Sequence, residues 1–165
     1  MLVGLPLTYM SRPIGQAFEF GEQVDYVDED GEERTDGEYQ LKLLGAWRVS
    51  LGAEVVFGSE DHVGKRRFYD RTTPPKPDPK QPIDPRVRWQ RARDFVDLVE
   101  SGSLRAVSVE FDPGCVVRVQ LTAGYLIVGL ACGSLSDHIH FMRLRSPDQR
   151  SLFVFESGML RESDD

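Results

Sequence analysis

LRAVSVEFDPGCVVRVQLTAGYLIVGL, residues 104–130, is the stretch that decides the fold. The turn sequences DPG at 112–114 and TAG at 122–124 divide it into three short segments rich in Val, Leu, Phe and Tyr. Asp, Pro and Gly are residues that tight turns require, and β-branched and aromatic residues are typical of strands. The stretch therefore predicts three antiparallel strands joined by short turns.

The same segments predict how the C-terminal part of the sheet is arranged. The last of them, residues 125–130, is apolar and is expected to run as a central strand. HIHFMRL at 138–144 and LFVFE at 152–156 follow with similar character, so we expect a five-stranded meander. One face of the first strand is expected to carry Val107, Val109 and Phe111.

Strand-like segments also flank an acidic stretch nearer the start of the chain. QAFEFGEQVDYV at 16–27 and EYQLKLLGAWRVSL at 38–51 have apolar residues in partial alternation, which indicates strands. Between them, residues 28–38 contain acids and glycines and nothing to bury, so we expect an acidic turn or hairpin tip there. Gly52-Ala53 then predicts a tight hairpin turn into EVVF.

One helix is predicted, at residues 85–100. Asp84 is placed to cap it, Pro85 suits its first position, and Ser101 with Gly102 ends it. Its apolar stripe consists of Trp89, Ala92, Phe95, Val96 and Val99, which recur at three- and four-residue spacing. Ahead of it, the proline-rich residues 70–84 predict an extended surface loop, because proline excludes helix and sheet interiors.

A chain of 165 residues fits a single domain, residues 1–165. We expect an α+β fold, mainly an antiparallel β meander that forms a curled sheet or partial barrel of about seven to nine strands, with the helix across its open face or end. The apolar runs are too short to span a membrane, the first residues lack signal-peptide features, and two cysteines make no disulfide framework. A cytoplasmic protein without a membrane partner is therefore expected.

The net charge of −7 is unevenly distributed. Residues 1–40 hold ten acids against two bases, and residues 65–93 hold ten bases against three acids. Such asymmetry is typical either of a binding face or of two solvated segments that attract each other. The candidate residues of an acidic partner-binding face are Glu19, Glu22, Asp25, Asp28, Glu29, Asp30, Glu32 and Glu33.

The histidines define one alternative function, a metal-dependent enzyme or binder. His138 and His140 lie two apart in a strand-like segment and so share a face, and His62 with Asp61 or Asp137 could complete a metal site. Histidines at the rim of the core explain the same pattern, because no HExxH, CxxC or second HxH accompanies them. The default expectation is no cofactor, with a metal at Asp61, His62, His138 and His140 as the alternative.

The basic run defines another alternative, single-stranded nucleic-acid binding through residues 65–93. Aromatic side chains beside Arg and Lys, as in this run, are what single strands require. A pI near 5.0 argues against it, because nucleic-acid-binding domains are usually basic. The candidate cations are Lys65, Arg66, Arg67, Arg71 and Arg88.

The sequence does not favour an enzyme. It contains no GxSxG, GxGxxG or GxxxxGK[ST] motif. Cys115 and Cys132 lie in apolar segments, where a thiolate is disfavoured. The acids of residues 19–38 lie in a solvated, glycine-rich environment, which makes them poor general acids.

GEYQLKLLGAWRVSLGAEVVFGSEDH, residues 37–62, resembles a group of uncharacterised small bacterial β-rich proteins. The later stretch 107–128 is similar to their second half, whereas Met142 stands where the group often has tryptophan. The resemblance implies structural motifs and a small acidic protein comparable to immunity proteins, which neutralise toxins. The residues that carry it are Tyr39, Leu41, Trp47, Arg48, Gly58, Ser59 and Asp61.

We favour a non-enzymatic interaction protein, because the chain has a cluster of acids, is small and lacks catalytic motifs. We expect it to bind a basic protein partner through its acidic surface. An immunity-type inhibitor of a basic toxin is the concrete form of this hypothesis.

Overall fold

The structure is a computed structural model that describes residues 2–11, 16–27, 30–43, 45–59, 62–63, 66–67, 73–77, 79, 84–112, 116–130, 142–145, 151–156 and 159–162. For residues 11, 16, 62–63, 66–67, 142–145, 151–156 and 159–162 the description is of the backbone alone. Of the predicted proline-rich loop, residues 73–77, 79 and 84 are described, and they lie outside any helix or strand.

Thirteen strands and one helix occupy these residues. The strands are β1 (Leu7–Ser11), β2 (Gln16–Val27), β3 (Glu33–Leu43), β4 (Ala46–Leu51), β5 (Glu54–Gly58), β6 (His62–Val63), β7 (Arg66–Arg67), β8 (Ala106–Asp112), β9 (Val116–Leu121), β10 (Tyr125–Leu130), β11 (Met142–Arg145), β12 (Ser151–Glu156) and β13 (Met159–Glu162). The helix is α1 (Pro85–Glu100), and one 3₁₀ turn covers Thr122–Gly124.

All strand pairs in the described residues are antiparallel. A six-stranded sheet has the order β1-β2-β3-β11-β12-β13, a five-stranded sheet has the order β5-β4-β10-β9-β8, and β6 pairs with β7. A mainly antiparallel protein with one helix belongs to the α+β class, as the sequence predicted.

The two larger sheets meet at one edge and stay apart at the other. Ahead of β1, the chain runs beside the start of β8, where Pro6 and Arg105 form an isolated antiparallel bridge. The Gly4 N–H donates to the Ala106 carbonyl at 2.8 Å, and the Ala106 N–H donates to the Leu5 carbonyl at 3.0 Å. Strands β13 and β5, at the far edges, do not pair with each other. The result is a curled, open sheet rather than a closed barrel, as expected.

The C-terminal meander is divided between the two sheets. Strands β8, β9 and β10 follow one another as predicted, and β10 is the central strand of its sheet. Its second neighbour, however, is β4, with Ile127 opposite Val49. Strand β11 instead pairs with β3, with Leu144 opposite Leu41, and carries β12 and β13 with it. Both edges of β10 are already occupied, so β11 cannot pair with β10, and it pairs with β3 in the other sheet.

A β-bulge alters the predicted face of β8. Val107 is an extra residue between two cross-strand pairs and is 51% exposed, whereas Ala106 is buried in its place. Beyond the bulge the alternation resumes, and Val109 and Phe111 pack against the core. An inserted residue shifts which side chains face inward. Of the three residues that simple alternation places on one face, Val107 is therefore exposed, and Val109 and Phe111 face the core.

The helix has the bounds and the buried face that its sequence predicted. Asp84 caps it by accepting a hydrogen bond from the Arg86 N–H at 2.9 Å, and Pro85 is its first residue. The Ser101 N–H donates to the Asp97 carbonyl at the C-terminal end. The predicted stripe is buried at Ala92, Phe95, Val96 and Val99, while Trp89 is half-buried.

A chain of aromatic rings ties the helix to both sheets. Ring centroids lie 5.7 Å apart for Phe18 and Trp47, 5.8 Å for Trp47 and Phe57, 5.4 Å for Phe57 and Phe95, and 5.0 Å for Phe95 and Tyr125. All four contacts are edge-on, the arrangement that aromatic pairs prefer. The rings come from β2, β4, β5, α1 and β10, so the core lies between the sheets and beneath the helix.

Candidate interaction surface on the acidic arm

The hairpin of β2 and β3 extends beyond the six-stranded sheet to which it belongs. Strand β1 pairs with residues 17–20 of β2, and β11 pairs with residues 40–43 of β3. Past these points, among the described strands, β2 and β3 pair only with each other. We call residues 22–38 the acidic arm.

A bulge at Gly21 marks where the arm begins. Gly21 and Glu22 together lie opposite Glu38, and Gly21 has a φ of +87°. A Cβ at this glycine would lie 2.6 Å from the Glu38 Cβ, so a side chain has no room. The bulge is held from the β1 side, because the Gly21 N–H donates to the Pro6 carbonyl at 2.8 Å and the Thr8 hydroxyl donates to the Gly21 carbonyl at 3.1 Å. Bulges of this type bend a strand and increase its twist.

The arm is a regular ribbon almost to its tip. The Tyr26 hydroxyl donates to the Asp36 carboxylate at 2.7 Å, and the Thr35 hydroxyl donates to the Asp25 carboxylate at 2.7 Å. Strand β3 begins at Glu33, so the turn predicted over residues 28–38 is shorter than expected. The composition of residues 28–38 predicted a solvated turn. Cross-strand hydrogen bonds of acidic side chains instead favour the pairing of β2 with β3.

The arm carries the negative charge of the whole chain. Residues 22–38 contain nine acids and one base, which gives a charge of −8. The remaining 18 acids and 19 bases sum to +1. The single base, Arg34, forms a salt bridge with Glu32 at 2.5 Å, and both side chains are largely exposed. Charges this close together on an exposed ribbon produce a strongly negative local potential.

Most of the predicted acidic face lies on this arm and is exposed. Asp28 and Glu29 lie outside the described residues, and the exposed members are Glu22, Asp25, Asp30, Glu32 and Glu33. The side chains of Glu22 and Glu33 form no hydrogen bond or ion pair with any described residue. These five acids therefore lie where a partner can reach them.

Glu19 is a correction to the predicted face. It is only 1% exposed, and its carboxylate accepts hydrogen bonds from the Gly37 N–H at 2.9 Å and from the Gln40 side-chain amide at 3.4 Å. In the sequence it alternates with Phe18 and Phe20 and so reads as a solvent-facing residue. The alternation does not show that β2 is buried on both faces ahead of the bulge. A buried carboxylate needs hydrogen-bond donors, which the Gly37 N–H and the Gln40 amide provide here.

An open depression lies near the tip of the arm. Its volume is about 480 Å³, and it is lined by Asp25, Tyr26, Val27, Glu33, Arg34 and Thr35. Val27 is 65% exposed, the most exposed large apolar side chain of the described residues. The depression combines acids with an accessible β-branched side chain.

The helix arginines are engaged within the chain. Arg86 pairs with Asp84 at 2.5 Å, Arg93 pairs with Asp97 at 3.0 Å, and Arg91 pairs with Glu54. The hydrogen bond between the Asp84 and Arg86 side chains lowers the pKa of Asp84 and raises the pKa of Arg86. These partners offset the unfavourable placement of arginines at the start of a helix.

The residues predicted for nucleic-acid binding are only partly described. Arg88 lies half-buried on α1, and Arg66 and Arg67 form β7, where the backbone alone is described. Lys65 and Arg71 lie outside the described residues. Nucleic-acid binding stays a prediction.

The metal hypothesis falls largely outside the described part of the chain. His62 lies in β6, with its backbone opposite that of Arg67, and Asp61, His138 and His140 are not among the described residues. Within the described residues, no group of three or more His, Cys, Asp or Glu side chains is arranged to hold a metal ion. The four proposed ligands stay a prediction.

Residues of the Trp-Arg motif have structural roles in the β4–β5 hairpin. The Ser59 N–H donates to the Trp47 carbonyl at 2.9 Å, and the Ser59 hydroxyl accepts from the Trp47 N–H at 3.3 Å. A Cβ at Gly58 would lie 2.6 Å from the Trp47 carbonyl oxygen, so glycine is required where the strands approach. The motif therefore closes a hairpin and places Trp47 in the core.

Comparison of the chain with protein families, curated proteins and solved structures gives no match. The resemblance to small bacterial immunity-like proteins stays a hypothesis. Among the described residues, no helix has the length and apolar character that crossing a membrane requires.

Proposed function

We propose that this protein is a non-enzymatic interaction protein that binds a basic protein partner through the acidic arm. The observation that carries the proposal is the separation of charge, −8 on residues 22–38 against +1 on the rest of the chain. Complementary charge accelerates encounter and selects against partners of like charge.

Geometry supports the arm as the binding element. It extends past the neighbouring strands β1 and β11, so a partner can approach it without displacing another strand of the described structure. The bulge at Gly21 and its bonds to Pro6 and Thr8 fix the base of the arm to the sheet. An anchored ribbon loses less conformational freedom on binding than a flexible loop would.

An immunity-type inhibitor is the concrete form of the proposal. Such a protein presents an acidic surface to the basic surface of a toxin and blocks it without chemistry of its own. The small size and acidic exposed ribbon of this chain are consistent with that role.

The proposal is tested with two matched double variants. Glu22→Gln with Glu33→Gln removes two arm acids, and Glu100→Gln with Glu110→Gln removes two exposed acids elsewhere. None of the four forms an ion pair with a described residue, and each double variant changes the net charge from −7 to −5. Any difference between the variants therefore reports position rather than total charge.

Immobilised wild-type protein and both variants are used to capture proteins from a host lysate, followed by titration with the purified partner. Exposed charge pairs contribute about 0.2–1 kcal/mol each, so the arm variant should bind the captured partner about 2- to 30-fold more weakly. Raising the ionic strength from about 0.01 M to 0.15 M should weaken wild-type binding, because the Debye length falls from about 30 Å to 8 Å. Capture of no basic protein, salt-independent binding, or an equal loss in both variants would contradict the proposal.

A further inference from the structure

The outer edge of β2 in the acidic arm has no strand beside it in the described structure. Residues 23–27 pair with residues 33–37 of β3 on one side. On the other side, the pairing of β1 ends where Leu7 lies opposite Phe20, and the preceding residues turn away to bridge Arg105. An edge of this kind presents the N–H and C=O groups of alternate residues to solvent.

We propose that this edge, residues 22–27, binds an extended basic segment of the partner as an added β-strand. The inference rests on the proposed function and specifies how the arm binds its partner. Added strands gain affinity from main-chain hydrogen bonds and specificity from alternate side chains. Because β2 is already paired with β3 on its other edge, it serves as the template for the incoming segment.

Charge complementarity identifies the occupant of the edge. Asp25 and the exposed Val27 share one face of β2 with Gln23, while Val24 and Tyr26 lie on the other face. The residue of an added strand opposite Asp25 would have its Cβ about 4.5–5.5 Å from that of Asp25. A lysine or arginine there forms a cross-strand ion pair, and β-branched residues suit the face of Val24.

The same charges disfavour a second copy of this chain at the edge. Pairing two arms would place Glu22 and Asp25 of each copy beside the acids of the other, and the arms would bring together charges of −8 each. Like charges directly opposite in a sheet are destabilising. The edge therefore excludes its own copy while remaining open to a basic strand.

The test uses peptides of about seven residues in which lysine alternates with valine or threonine, a length that suits a single strand. Two further peptides carry backbone N-methyl groups on alternate residues, one on the odd and one on the even positions. Binding to the full-length protein is measured by fluorescence anisotropy at low ionic strength. Only one set of amides faces β2 in an added strand, so one methylated peptide should lose about tenfold or more in affinity and the other should bind like the parent.

The protein variants provide the matching control. Glu22→Gln with Glu33→Gln should weaken parent-peptide binding, whereas Glu100→Gln with Glu110→Gln should leave it unchanged. Equal binding of both methylated peptides would show charge attraction alone, and would overturn strand addition while leaving the proposed function intact. A loss of affinity in both methylated peptides would also overturn strand addition and leave the proposed function intact. The same holds if the parent peptide does not bind while a basic host protein is still captured. Failure of both the peptides and the capture experiment would overturn both proposals.

Discussion

The side chain of Leu43 in β3 lies so close to Gly129 of β10 that a methyl group at position 129 would require the Leu43 side chain to move. A Cβ built on Gly129 would lie 2.6 Å from Leu43 Cδ2 and 2.8 Å from Val117 Cγ1. The two residues come from different sheets, so this contact is one of the places where the five-stranded and six-stranded sheets pack against each other. Glycine at position 129 leaves room for the Leu43 side chain to pack against the backbone of β10.

Gly129→Ala should therefore lower the free energy of unfolding by about 1–3 kcal/mol, because a well-packed core does not accept an extra methyl group. Urea denaturation measures the change. Leu43→Ala alone should cost about 2–5 kcal/mol through the cavity it leaves. The double variant should lose less free energy of unfolding than the sum of the two single losses, because the smaller residue at position 43 makes room for the new methyl group. Additive losses would contradict the packing described here.

The bulge at the base of the acidic arm can be tested with two glycines of similar positive φ. Gly21 and Gly31 have φ values of +87° and +80°, but a Cβ would collide with Glu38 at Gly21 and meet nothing within 4 Å at Gly31. Gly31→Ala should cost about 1–2 kcal/mol, the strain of a left-handed L-residue. Gly21→Ala should cost clearly more because steric overlap is added to that strain. Equal losses in urea denaturation would mean that the bulge tolerates a side chain.

The buried face of α1 should account for most of its attachment to the sheets. Phe95 is fully buried and contacts the rings of Phe57 and Tyr125, whereas Val87 on the same helix is 43% exposed. Phe95→Ala should lower the free energy of unfolding by about 3–5 kcal/mol. Val87→Ala should change it by no more than about 0.5 kcal/mol. Comparable effects from the two substitutions would show that the helix does not pack through this face.

The cap of α1 should give a pH-dependent contribution to stability. The hydrogen bond from the Arg86 side chain lowers the pKa of Asp84 from its ordinary value of 3.8. Because the folded-state pKa is below the unfolded one, the carboxylate stabilises the fold above pH 3.8, and this contribution is lost as the pH falls through the folded-state pKa.

Asp84→Ala should therefore lower the melting temperature at neutral pH, and its difference from wild type should narrow in acid. Asp84→Asn serves as the control, because asparagine still caps a helix but lacks the charge that pairs with Arg86. At neutral pH the melting temperature of Asp84→Asn should fall less than that of Asp84→Ala. A difference from wild type that stays constant down to strongly acidic pH would rule out a role for the Asp84 charge.

Local signals in the sequence were sufficient for the helix and for three strands. Asp84, Pro85 and Ser101 lie at the ends of α1 and set its bounds by their own chemistry, and the turn from β9 to β10 is encoded in the adjacent residues Thr122–Gly124. The central position of β10 followed from its uniformly apolar sequence.

Features that depend on distant residues were not predicted. The chain leaves β10 for the other sheet because β4, which lies far back in the sequence, already occupies its free edge. Glu19 is buried because Gly37, 18 residues later, offers it an N–H. In the candidate site, the acids were visible in the sequence, but the length of the ribbon that carries them follows from the pairing of β2 with β3.

The pairing of β3 with β11 has a consequence for synthesis of the protein on the ribosome. Leu43 and its partner Met142 are separated by about one hundred residues, which a ribosome adds in roughly 5 to 20 s. Throughout that interval the edge of β3 that pairs with β11 has no neighbouring strand. Leu41 and Leu43, which are buried in the folded protein, are not yet covered on that side. An unpaired strand edge is prone to aggregation, and strand pairing over this sequence distance is expected to make folding slow.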